Sequence, residues 1–355
     1  MCEDPEHHVS ELQGEGGWLD SKRYSRQEIL RYGVGGVVGL SASGLIAGID
    51  QALAHVTKAP IKIGMILPGP INDHEFNTVG YTALENVRKQ LGVQVAYAES
   101  VANADAARFL RDYASKGYNP IFAHSFSFGE ATVQVAKDFP NTVFMDLSPP
   151  MEKNVGNYDN PDYQGAYLSG MLAGGTTKSG TVGWVSTLPI PSLNANFHAF
   201  QAGAKAMNPK VNVLHSFIGS FLDPPKGKEA ALAQIQSGAD FLSAQTAGVI
   251  DACVATNTLC IGAITDQNFL GPKVVLTSIT WNLSPIVKSV AKSVQNGTWK
   301  SGLVSPGIKG GEIGMAPYHG LDKRVPPNVL KAVSAKYLAL RHGKFVVPNN
   351  TSKIS

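Results

Sequence analysis

From Ile61 onward, short apolar runs alternate with longer amphipathic stretches, the pattern expected of buried parallel strands joined by crossover helices. The first unit is the clearest. An apolar run over 61–67 breaks at Pro68, Gly69 and Pro70, and Asn72, Asp73, Glu75 and Asn77 then open a helix over 77–91. Val79, Leu84, Val87 and Leu91 form its inward face, Gly92 ends it, and 93–98 returns as a strand. The pattern repeats as helix 104–116, strand 120–123, a loop over 124–129, helix 130–137 and strand 142–147.

Past Pro149 and Pro150 the rhythm changes. A short apolar piece at 155–158 leads to a helix over 163–178, whose Gly165, Gly170, Ala173 and Gly174 permit close packing. A second series follows: strand 181–185, helix 196–207, strand 211–217, helix 227–237, strand 240–243, helix 249–256, and strands 259–264 and 274–279. A helix over 286–295, a Gly-rich segment over 302–314 and a basic helix over 329–341 complete the chain. The predicted class is α/β, with two lobes that are each a parallel sheet flanked by helices. Residues 60–160 form the first lobe and 161–280 the second, with a C-terminal return to the first lobe near 280–350.

Residues 1–54 do not continue this pattern. Lys22, Arg23, Arg26 and Arg31 precede a weakly apolar Gly/Ala/Ser run over 33–49, and Ala52-Leu53-Ala54 ends it, which is the layout of an export signal. The segment 25–31 is similar to a twin-arginine motif, with Gln27 where the second arginine is expected. Cleavage after Ala54 would leave 355 − 54 = 301 residues, and the expected location is the periplasm.

Composition narrows the function classes. The 355 residues are 43% hydrophobic and 16% charged with a net charge of +3, so no nucleic-acid or polyanion partner is called for. Of the three cysteines, Cys253 and Cys260 lie outside the leader, and either a disulfide or two separate buried thiols fits them. No CxxC or His/Cys ligand spacing occurs, so neither a metal nor a cofactor is expected. Lys226-Gly227-Lys228-Glu229 lacks the upstream glycine of a phosphate loop. His124 and His198 have no partnered nucleophile and read as structural histidines.

Strand-end loops concentrate aromatic, amide and carboxylate side chains: Asn72, Asp73, Phe76 and Asn77; Ser125, Phe126 and Phe128; Asp146; Asn194 and Phe197; Gln245 and Thr246; Asp266 and Gln267; Trp281 and Asn282. Ring faces stack on a flat heterocycle while amides and carboxylates bond its edges, so a cleft so lined suits a purine. Each position also has a plainer role: Asn72 and Asp73 as helix caps, Phe76 as core, Asp266 as the start of a turn.

Several blocks in order resemble the basic membrane protein family of ABC-transporter substrate-binding proteins, and together they span nearly all of 60–320. They are Asn72-Asp73 with Phe76-Asn77, the 125–129 loop, 164–170, Gly219-Ser220-Phe221 with Asp223, 226–231, 265–267 and 276–278. The resemblance implies a two-lobed type I periplasmic-binding fold and a purine nucleoside or base held between Phe76 and Phe197. It implies polar contacts from Asp73, Asn77 and Asp266, and delivery to an ABC permease with its ATPase. Asn72, Ser125, Phe126 and Trp281 complete the expected ligand-binding set, with no catalysis.

One departure bears on the ligand. Where nucleoside receptors of this family carry a lysine that reaches the sugar, this chain has Trp281-Asn282, which exchanges three donors for an apolar plane and favours a free base. Two rival classes make different demands on the sequence. A nucleoside hydrolase would need Asp73, Asp146 and Asp266 to converge, and a ligand-responsive regulator would need a helix-turn-helix within 1–54.

Overall fold

The structure is a computed structural model that describes residues 9–12, 61–147 and 151–354. The first sheet contains β1 (Val9–Leu12), β2 (Lys62–Ile66), β3 (Gln94–Ala98), β4 (Ile121–Ala123), β5 (Phe144–Asp146), β6 (Val155–Tyr158) and β12 (Leu303–Val304). Its order is β1-β3-β2-β4-β5-β6-β12, parallel throughout except for β1. Helices α1 (Phe76–Leu91), α2 (Ala106–Ser115) and α3 (Gly129–Asp138) are its crossovers. β2, β4 and β5 are buried nearly throughout, which explains why they read as unbroken apolar runs.

The second sheet contains β7 (Thr181–Ser186), β8 (Asn212–Phe217), β9 (Phe241–Ala244), β10 (Leu259–Ile264), β11 (Val275–Trp281) and β13 (Ile313–Met315). Its order is β13-β11-β10-β9-β7-β8, with only β13 antiparallel. Around it lie α4 (Tyr163–Thr176), α5 (Pro191–Met207), α6 (Pro224–Gln236) and α7 (Val249–Thr256). Cys253 and Cys260 are free thiols buried in the core that α6 and α7 share with this sheet.

The chain passes between lobes at 159–162, 282–283 and 305–306. After the second passage, α8 (Ser284–Asn296) packs Ile286, Val287 and Val290 against Leu84 and Val87 of α1, and β12 then extends the first sheet. The return to the first lobe ends there. The short α9 (Gly307–Gly310), β13 and the basic α10 (Pro327–Arg341) belong to the second lobe, where Val329, Val333 and Leu340 join the core of α4 and α5. The expected return near 280–350 is therefore confined to its first part.

The stretch read as an export signal lies outside the described residues except for β1. That strand runs antiparallel along β3, whose outer edge would otherwise present unpaired backbone groups.

Helices α5, α6 and α10 begin earlier than the sequence pattern suggests, each at a proline: Pro191, Pro224 and Pro327. Proline breaks a helix interior but suits its first turn, where its missing N–H leaves nothing unpaired.

Candidate functional site

The carboxyl ends of β2 and β4 place Phe76 and His124 side by side, and the carboxyl ends of β10 and β11 bring Asp266 and Trp281 toward them from the other lobe. His124 is fully buried and its ring lies parallel to Phe76, with centroids 4.0 Å apart and planes 10° apart. Tyr158 lies parallel to His124, 6.0 Å from its centroid. Two hydrogen bonds hold the imidazole between them. Its Nε2 lies 3.0 Å from the Phe76 carbonyl oxygen, and its Nδ1 lies 2.7 Å from the Tyr158 hydroxyl. A carbonyl only accepts, so Nε2 carries the hydrogen and Nδ1 accepts from Tyr158. Burial pushes the His124 pKa down to about 4, which keeps this neutral tautomer in place at neutral pH. The structural role expected of His124 holds, and its effect is to fix the attitude of Phe76.

Gly80, one turn into α1, makes room for that stack. A Cβ there would lie 2.8 Å from His124 Cδ2 and 2.9 Å from Leu67 Cδ2. Alanine gains roughly 1 kcal/mol of helix propensity over glycine, but overpacking this contact should cost about 1–3 kcal/mol. Gly80→Ala is therefore expected to lower the urea midpoint slightly and to disturb the Phe76 ring. A more stable variant would mean that His124 yields without cost.

From the second lobe Trp281 meets Phe76 in a T-shaped arrangement, with centroids 6.4 Å apart. Its indole N–H donates to Asp162 Oδ1 at 2.9 Å, and Asn196 Nδ2 donates to Asp162 Oδ2 at 3.0 Å. Asp162 sits at the first passage between lobes. Burial pushes its pKa up to about 6, against the opposing effect of the Trp281 and Asn196 bonds. Asp162 precedes α4 and reads in sequence as an ordinary helix cap, yet its side chain makes no cap bond. It anchors Trp281 instead.

The polar groups of the first loop are largely engaged with one another. Asp73 Oδ1 accepts from Glu75 N, Thr78 N and Thr78 Oγ1, and Oδ2 accepts from Asn77 N and Asn77 Nδ2. Burial alone would raise the pKa of this carboxyl, but the backbone N–H groups of Asn77, Glu75 and Thr78 outweigh it and hold it below the usual range. Asn77 Oδ1 accepts from Gly69 N, which leaves one Asn77 amide hydrogen for another partner. Asn72 is exposed at the loop's outer side. Ser125 caps the turn that follows β4, accepting from Ser127 N, and Phe126 beside it is 50% exposed. Asp266 Oδ2 lies 2.8 Å from His319 Nε2.

Phe197 departs from its expected role. It is 3% exposed and packs in the second lobe's core, 4.9 Å from the His215 ring centroid and T-shaped to Trp184. Because α5 starts at Pro191, Phe197 falls on the helix face turned to the sheet, and its neighbour Asn196 reaches the Asp162 anchor. Exposed rings beyond strand ends of this lobe are Phe221, 62% exposed between β8 and α6, and Phe269, 55% exposed between β10 and β11. Further buried polar atoms on the second lobe's strand ends lack protein partners: Ser186 Oγ at the end of β7, Asn194 Oδ1 in α5 and Thr246 Oγ1 after β9. Asn160 Oδ1, in the first passage between lobes, is in the same state. Such groups call for a polar partner.

A cavity of about 250 Å³ lies between the lobes, lined by Thr78 and Thr82 of α1 with Thr265, Asp266, Thr280 and Trp281. A slightly larger one, of about 300 Å³, lies under the C-terminal tail, lined by His198, Lys205 and Val347. At Phe76 itself the loops of the two lobes touch. Among the described residues no group of three or more His, Cys, Asp or Glu side chains is arranged to hold a metal. No helix among them is long and apolar enough to cross a membrane.

The family model for PnrA-like ABC transporter substrate-binding proteins matches residues 61–343. A purine-binding protein of Brucella abortus is 29% identical over 305 residues, covering 84% of this chain and 86% of that protein. The nucleoside-binding protein BmpA of Lactococcus lactis is 27% identical over 346 residues, covering 88% of this chain and 97% of its own. Among solved structures, an ABC transporter solute-binding protein from Conexibacter woesei superposes with a TM-score of 0.69 at 25% identity, covering 81% of this chain and 99% of that one.

Proposed function

The chain belongs to the PnrA-like family of ABC transporter substrate-binding proteins, and we propose that within it this protein captures a purine between its lobes and hands it to an ABC permease. The family consists of extracytoplasmic binding proteins rather than enzymes. On this reading the leader directs export to the periplasm, closure of the lobes accompanies binding, and the permease's ATPase drives uptake.

The observation that carries the reading is the Phe76 ring. It is held parallel on His124 at 4.0 Å and faces a Trp281 ring from the other lobe, so one aromatic platform is fixed before any ligand arrives. A heterocycle stacks on such a platform without reorganising it. The second lobe then supplies edge contacts from Ser186, Asn194 and Thr246, whose buried oxygens lack protein partners. Asn77 contributes its remaining amide hydrogen, and Asp266, which lines the cavity between the lobes, offers a carboxylate.

The free base is the preferred form. The Trp281 N–H is committed to Asp162, so this position offers the ligand an apolar surface where a sugar-binding member would offer a cation. The names of the Brucella and Lactococcus relatives, purine-binding and nucleoside-binding, support the same ligand class.

Titration calorimetry with adenine, hypoxanthine, adenosine and guanosine tests the proposal. Binding of a purine, with bases ahead of nucleosides, is the expected result, and Phe76→Ala should weaken it by about 1–3 kcal/mol. Silence with all four compounds would overturn the purine reading, and a clear preference for nucleosides would overturn the preference for free bases.

A further inference from the structure

The two lobes also bind each other directly across the cleft, through the loop before α1 and the loop after β10. Thr265 Oγ1 donates to the His74 carbonyl oxygen, and Gln267 Nε2 donates to Glu75 Oε1 at 3.1 Å. The His74 and Phe269 rings meet T-shaped at 5.3 Å. Residues 74–75 belong to the first lobe and 265–269 to the second, so every one of these contacts exists only while the lobes are together.

Gln267, read in the sequence as a possible ligand contact, is committed to this junction on all sides. Its Oε1 accepts from Ala263 N and its backbone N–H donates to Ser278 Oγ, both at 3.0 Å, which aims Nε2 across the cleft at Glu75. Glu75 in turn is shut in by the junction. Burial, and then the charge of Asp73, raise its pKa, and the Gln267 bond opposes that rise.

The backbone on both sides of the junction is strained. His74 has φ of 58° and Ile264, directly before Thr265, has φ of 70°. For a β-branched residue such as Ile264 the left-handed region is strongly disfavoured, and such outliers persist where surrounding contacts impose them. Junction bonds and backbone strain thus oppose each other at one place, which suits a contact that must form and break in each cycle.

We propose that residues 74–75 and 265–269 form an interlobe latch, so that the closed state and the residence time of the ligand depend on these protein contacts as well as on the ligand. The inference rests on the reading of the cleft as the binding site, and its test has one arm that needs no ligand. Nitroxide labels at Lys89→Cys in α1 and Gln236→Cys in α6, both exposed positions, report the distance between lobes by pulsed electron resonance. In ligand-free protein, Glu75→Ala with Thr265→Val should shift the distance distribution away from the closed arrangement, while Thr265→Ser, which keeps the hydroxyl, should leave it unchanged. Thr265→Val alone serves if the double variant does not fold. In the second arm, adenine should leave the double variant about tenfold faster than the wild type in stopped-flow tryptophan fluorescence, as the loss of the two interlobe hydrogen bonds predicts. An unchanged distance distribution, or Thr265→Ser behaving like Thr265→Val, overturns the latch. Failure of the wild type to bind adenine overturns the purine reading and leaves the distance arm to decide the latch.

Discussion

Gly170→Val is expected to leave the second lobe unable to fold. At this position a Cβ would lie 2.0 Å from the carbonyl oxygen of Phe200, 2.8 Å from its carbon and 2.9 Å from Ala204 N, all of them backbone atoms of α5. The crowding is reciprocal. A Cβ on Gly203 would lie 2.0 Å from the Tyr167 carbonyl oxygen, and one on Gly174 would lie 2.3 Å from that of Ala204. Helices α4 and α5 therefore cross in backbone contact along three glycines. A flexible side chain could swing aside, but a helix backbone moves only as a whole. Separating the pair would open the core around Leu168, Leu172 and Phe200, which are all fully buried.

Packing defects on that scale fall in the rare class above about 4 kcal/mol, against a total stability of roughly 5–15 kcal/mol for a typical domain. Loss of soluble protein, or of the cooperative thermal transition by near-ultraviolet circular dichroism, is the expected observation. Gly170→Ala should be milder but still clearly destabilised. A Gly170→Val protein melting within a degree of wild type would show that the helix crossing adjusts freely. The site depends on the same crossing, because Asp162 just before α4 anchors Trp281 through Oδ1 and is itself held through Oδ2 by Asn196 on α5.

These glycines show what could be read from the chain without its structure. The spacing of Gly165, Gly170 and Gly174 signals close packing, although not its partner. Alternating strands and helices were equally legible, because parallel strands buried on both faces leave continuous apolar runs such as 61–67. A change of rhythm past Pro149 and Pro150 suggested a division near residue 160. Helix starts at prolines were not legible, since a proline before an amphipathic run reads as loop whether or not the first turn includes it. That shift of register carried Phe197 from the cleft into the core. The Gly-rich segment over 302–314 hid β12, α9 and β13, because elements of two to four residues leave no periodicity.

For the site, the strand-loop-helix read over 61–77 is present, and Phe76 opens its helix after β2. The chemistry of its neighbours was less legible. Asp73 was read both as a cap and as a ligand contact and Asn77 as a ligand contact, and in this closed arrangement local bonds take all but one of their hydrogen-bonding groups considered above. Asp162 and Glu75 act through long-range partners, Trp281 and Gln267, that local sequence cannot supply.

A buried carboxyl at the passages between lobes leads to the second large effect. Glu312 is fully buried between α9 and β13. Its Oε2 accepts from Gly307 N at 2.9 Å, its own carbonyl accepts from Asn282 N at 2.6 Å, and its Oε1 lacks a protein partner. Gln164, at the start of α4, accepts from Ile308 N at 3.0 Å. Glu312 therefore lies where all three passages between lobes are tied together. Burial pushes its pKa up to about 8, the Gly307 bond opposes this, and the charges of Asp159 and Asp162 add to the rise.

The native state thus holds a proton that the unfolded chain releases near the ordinary carboxylate value of 4.5. Stability from this group is complete below pH 4.5 and is lost progressively as pH rises toward 8, amounting to roughly 2–4 kcal/mol across that window. Asp162, raised to about 6, adds a smaller loss of the same sign. Glu312→Gln removes the titration while retaining an acceptor for Gly307 N, and its amide hydrogens meet the Asp159 and Asp162 charges favourably. The variant should therefore melt several degrees above wild type at pH 8 and close to it at pH 5, with a flatter profile between. If wild type and variant lose the same stability between pH 5 and 8, the proton resides on another group. If the variant is less stable at both pH values, the glutamate is held there by a specific bond to its protonated carboxyl rather than tolerated as a buried acid.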